Sequence, residues 1–106
     1  MFLDHKFTAL QLDIINKQAE LYKCVCPIHV SMQIINLRKL FDYQKTCMDM
    51  PTESDAQMQV HKLIAEVTRQ SHQLMEQCLD EVLDLEGWDK TTLQMPAGIR
   101  TRLGKN

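Results

Sequence analysis

Apolar positions recur at helical intervals along most of the chain. Leu3, Phe7, Leu10, Ile14 and Leu21 fall on one helical stripe, widened by Ile15, Ala19 and Tyr22. They predict a helix over about 3–25, with Asp4 placed to cap its start. A second series, Val30, Ile34, Leu37, Phe41 and Met48, predicts a helix over about 30–48, with Ile35, Leu40 and Tyr43 off the main stripe. It is displaced by one position from the continuation of the first, or about 100° of helix rotation. The displacement coincides with Pro27, which removes a backbone donor and is predicted to end or kink the first helix. A third series, Val60, Ile64, Val67, Ser71, Leu74 and Cys78, keeps heptad spacing and predicts the longest helix, over about 54–86.

The breaks between these series are few. Pro51 stops the second helix, and Thr52 or Ser54 can cap the third, since both Thr52-x-x-Asp55 and Ser54-x-x-Gln57 resemble a capping box. Gly87 stands where a helix-ending glycine belongs. So short a link at 49–53 makes the second and third helices antiparallel neighbours. The expected fold is all-α, either an antiparallel helical hairpin with its first arm bent at Pro27 or a compact three-helix bundle. Residues 1–87 form the helical domain, and 88–106 a mostly irregular, basic tail with one turn around Leu93. A two-layer hairpin leaves apolar seams uncovered and needs a partner or a second copy.

Composition sharpens this picture. The chain has 106 residues, with only three Gly and three Pro, and that scarcity of breakers argues against a β fold. No apolar run approaches a membrane span. The formal net charge of −2 offers no basic face for general nucleic-acid binding. Charge is segregated, however. Glu76, Asp80, Glu81, Asp84, Glu86 and Asp89 come without a Lys or Arg, and Lys90, Arg100, Arg102 and Lys105 follow without an acid. Carboxylates at the negative end of a helix dipole call for nearby cations, from the tail or from a partner. The tail basic residues, interleaved with Leu93, Met95, Ile99 and Leu103, suit contact with an acidic surface.

Candidate chemistry is sparse. Cys24, Cys26 and His29 lie within six residues at the bend, and a hairpin turning near residue 51 sets Cys78 opposite Cys24. Four such ligands suit tetrahedral zinc, although the C-x-C spacing departs from the usual C-x₂₋₄-C pairs. His72 and Glu76, four apart, read as a surface contact. No phosphate-binding glycine loop, nucleophile elbow, zincin or EF-hand pattern occurs. Leu21-Tyr22-Lys23 resembles the Leu-Tyr-Arg tripeptide of small helical mitochondrial assembly factors. It departs from that pattern in ending a helix and in carrying Lys for Arg, so no residue role is carried over.

The expected function is therefore that of a non-enzymatic interaction protein, a small helical subunit or adaptor without a cofactor. It would bind a protein partner or itself through Val60, Ile64, Val67 and Leu74, with Trp88, Arg100 and Arg102 as further contacts. The alternative is a thiol or metal module built on Cys24, Cys26, His29 and Cys78. The absence of a secretory signal and the four Cys suggest a reducing, intracellular setting.

Overall fold

The computed structural model describes residues 2–21, 25–50 and 54–96. Three helices follow in order: α1, Ala9–Leu21; α2, Cys26–Met48; α3, Asp55–Glu86. Their ends obey local chemistry. The Thr8 hydroxyl accepts from the Gln11 amide at 3.0 Å, and the Gln11 side chain accepts from the Thr8 amide at 2.8 Å. This reciprocal capping box starts α1, six residues later than the apolar stripe alone implies. Pro27 sits in the first turn of α2, where its missing donor costs nothing, so it opens that helix rather than kinking the one before. Ser54 caps α3 by accepting from the Gln57 amide at 3.2 Å. At the far end Gly87 is left-handed (φ 77°). The amides of Gly87 and Trp88 return to the carbonyls of Asp84 and Leu83, the Schellman pattern.

α2 and α3 pack antiparallel along their lengths, and α1 folds back against α2. The molecule is elongated, 57 × 20 × 17 Å. Helix α3 is about 48 Å long and α1 less than half of that. One end is therefore a three-helix bundle and the other a two-helix arm. The bundle end holds the main core: Leu12, Ile15 and Ala19 of α1, Ile34 of α2, Leu79 and Leu83 of α3. Trp88, Leu93 and Met95 complete it. The described part of the expected tail thus belongs to the core. Its loop is closed by an antiparallel bridge between Asp89 and Gln94 and by the Asp89 carboxylate, which accepts from the amides of Thr91 and Thr92. Leu93 takes a left-handed conformation (φ 59°), disfavoured for a residue with a Cβ, and its burial offsets that cost.

Two predicted stripes face the other way. In α1 the buried residues are Leu12, Ile15 and Ala19, while Leu10, Ile14 and Leu21 are exposed. In α3 the buried residues are Ala65, Thr68, His72, Glu76, Leu79 and Leu83, and the heptad series lies roughly a third of a turn away. The α2 stripe holds, with Ile34 and Phe41 buried. Leu83 is fully buried and Leu85, two positions on, is 88% exposed. Leu83→Ala is expected to cost about 2–5 kcal/mol in urea unfolding and Leu85→Ala within about 0.5 kcal/mol. Equal costs would contradict this orientation of α3.

Candidate partner-binding face and the buried charge cluster

What turns α3 is a polar cluster on its inner face. Glu76, only 3% exposed, accepts from the Arg38 guanidinium at 3.1 Å and from the backbone amides of Lys6 at 2.7 Å and Phe7 at 3.0 Å. Arg38 reaches further, donating through Nε to His72 Nε2 at 2.9 Å and through Nη2 to the Phe7 carbonyl at 2.5 Å. Three segments meet here: α2, α3 and the non-helical residues before α1. A buried carboxylate needs such donors, because desolvation without them costs several kcal/mol. The N-terminal segment continues along the arm. His5 packs its ring against His72 at 5.6 Å, and Phe2 lies beneath the Lys45 ammonium.

The Arg38 bond fixes the state of His72. Its Nε2 accepts, so the ring is neutral with its proton on Nδ1, 3.5 Å from Glu76 Oε1. Burial pushes the His72 pKa below the usual histidine value, against the pull of Glu76; Arg38 and His5 push it lower still. The pair is therefore interior rather than a surface contact. Arg38 went unread as a core residue, although it is four positions from Ile34 and three from Phe41 on the buried side of α2.

The acidic end of α3 finds its cations within the chain. Lys90 pairs with Asp80 at 3.0 Å and Asp84 at 2.6 Å, and Lys6 with Asp80 at 3.3 Å. The Lys90 hydrogen bond holds the Asp80 carboxyl below its ordinary range, and Asp84 and Asp80 raise the Lys90 ammonium.

The outer side of α3 carries an apolar stripe among exposed polar residues. Val60, Leu63, Val67 and Leu74 are exposed, Leu74 by 70%, and Ile64, Ser71 and Cys78 are half-buried beside them. In heptad terms Ile64, Ser71, Cys78 and Leu85 occupy a positions, and Val60, Val67, Leu74 and Glu81 occupy d. Leu63, Gln70 and Gln77 flank them at g. From Val60 to Cys78 none of these positions is charged. The outward series on the other helices are shorter or interrupted: Lys17 divides Leu10 and Ile14 from Leu21, and Asn36 and Lys39 divide Met32 from Leu40 and Tyr43.

The remaining expected site residues fall elsewhere. Trp88 turns inward, its indole donating to Glu86 at 2.8 Å. Arg100, Arg102 and Cys24 lie outside the described residues. Cys26 and His29 are exposed near the start of α2, and Cys26, Cys47 and Cys78 are free thiols. Among the described residues no three His, Cys, Asp or Glu side chains converge to hold a metal, and no helix is long and apolar enough to cross a membrane. No protein family, curated protein or solved structure matches the chain.

His72 gives the cluster a pH signature. Folding disfavours its protonation and the unfolded chain does not, so protons favour the unfolded state as pH falls through about 6.5. Stability present above that value is expected to be lost progressively as pH falls below about 6.5 toward the lowered native value, by at most about 1.4 kcal/mol per pH unit for one proton. In His72→Gln, whose amide oxygen can still accept from Arg38, the decline should flatten. Identical pH profiles by urea unfolding would contradict it. Glu76→Ala, which strands Arg38 and two amides, is expected to cost about 3–5 kcal/mol.

Proposed function

We propose that this protein is a non-enzymatic helical interaction module, acting as a small subunit or adaptor through the outer face of α3. The carrying observation is the uncharged heptad series from Val60 to Cys78, of which Val60, Leu63, Val67 and Leu74 are exposed. Large contiguous apolar surface on a folded domain marks an interaction site, because leaving it in water forgoes about 25 cal/mol per Å². Here the inner face of the same helix is occupied by the Glu76 cluster and the core, and among the described residues nothing covers the exposed Val60, Leu63, Val67 and Leu74.

The polar groups favour the same reading over catalysis. Glu76 Oε2 already accepts from three donors, and His72 Nε2 is taken by Arg38. His72 is also 1% exposed. A general base must reach a substrate proton, and both groups here are consumed in holding segments together. The groove of about 300 Å³ that Glu76 itself lines, with Asp4, His5, Lys6, Arg69, Gln73 and Gln77, mixes both charge signs.

The double variant Val67→Lys/Leu74→Lys tests the proposal in the native cell. Both side chains are solvent-exposed, so the melting temperature of the purified variant should stay within a few degrees of the parent. The parent is expected to migrate on native gels in an assembly larger than 12.4 kDa, and the variant as the single chain. Unchanged migration of a folded variant would contradict the proposal.

A further inference from the structure

Resting on that reading of the α3 face, we infer that its occupant is a second copy of this chain, with the two α3 helices paired antiparallel. The heptad register selects this arrangement. A parallel, in-register pair would set Glu81 at d directly against the partner's Glu81, two like charges facing across the seam. Reversing one helix removes that clash. Antiparallel pairs layer a against d, and the register that centres the uncharged stretch on itself does this throughout. Val60 meets the partner's Cys78, Ile64 the partner's Leu74, and Val67 the partner's Ser71. The same register sets Glu81 against the partner's Gln57, a neutral donor in the first turn of α3, where the helix dipole favours an anion. At the flanks Gln70 meets the partner's Gln70 and Leu63 the partner's Gln77, so no like-charge pair forms along the seam.

The seam is isologous, as a two-fold dimer requires, because each layer recurs on the other side of the axis. Its composition fits a second copy. Val67 and Ser71 are small at the axis, which allows close approach, and the larger Ile64 and Leu74 lie one layer out on either side. The stretch from Val60 to Cys78 spans about 27 Å, and the polar Ser71 and Gln70 at its middle make the dimer reversible.

Sedimentation equilibrium of the full-length chain reads the stoichiometry. At about 100 μM the mass is expected to be twice 12.4 kDa, falling to the single chain on dilution and in Leu74→Lys. Cross-linking reads direction and register. In a chain with Cys24, Cys26 and Cys47 replaced by Ser, Val60→Cys is treated with an ethylene-bridged bis-maleimide and the linked peptides are mapped. Residues 60 and 78 of one helix are about 27 Å apart, beyond that linker, so a link between them reports two chains. The expected product joins position 60 to Cys78 of the partner. Links of 60 to 60 and 78 to 78 indicate a parallel pair and overturn the inference, as does a wild-type chain that stays monomeric. A monomer whose Val67→Lys/Leu74→Lys variant still loses its cellular assembly overturns the second copy as occupant and leaves the interaction face standing; if the variant loses nothing, both fall.

Discussion

The rest of the structure depends on the carboxylate of Glu76. Placed in the interior, it must be surrounded by donors, and those available come from two other parts of the chain. Arg38 fixes the rotation of α2 against α3. The amides of Lys6 and Phe7 tie the N-terminal segment down as a non-helical strap, which keeps α1 from starting before Thr8. A buried ion pair adds little net stability over a hydrophobic replacement, but removing one member is costly. Once Glu76 and His72 point inward, the apolar series about a third of a turn away must point outward.

That constraint explains which parts of the fold were legible in the sequence. The all-α class, the break near Pro51, the cap at Ser54 and the end at Gly87 are local matters, and Ser54, Gln57 and Gly87 behave as their chemistry requires. The antiparallel relation of α2 and α3 follows from their short link. Helix rotation is not local. Periodicity marks the apolar face of a helix, and the usual step from apolar to buried failed for α1 and α3. In α3 the inner series 65, 68, 72, 76, 79, 83 is as regular as the outer one, but His72 and Glu76 in it read as a surface contact. Pairing with Arg38, more than thirty residues away, makes those two interior, while Thr68 is satisfied locally by donating to the Ile64 carbonyl. For the candidate site, Val60, Ile64, Val67 and Leu74 were legible as a series, and Trp88, offered as a further contact, packs back inward as a Trp after a helix-ending glycine commonly does.

The end of the bundle shows a second long-range effect. The acidic last turns of α3 lie where the helix dipole disfavours anions, and Lys90 and Lys6 approach from opposite ends of the sequence to neutralise them. Lys90 is carried there by the loop that also buries Trp88, Leu93 and Met95. Charge neutralisation and core closure thus share nine residues. The acidic end of α3 is thus engaged within the chain, while its a, d and g positions between Val60 and Cys78 carry no charge.

α3 keeps a polar-anchored face inside the molecule and turns its apolar heptad series, the proposed association face, outward. Thiol labelling along α3 tests it most directly, using single cysteines at 63, 65, 67, 74 and 79 in an otherwise cysteine-free chain. Cysteines at 65 and 79 are predicted to resist labelling at every protein concentration. Those at 63, 67 and 74 should label rapidly in dilute solution and become protected as the chain associates. Protection of 63, 67 and 74 in dilute solution, with rapid labelling at 65 and 79, would contradict it.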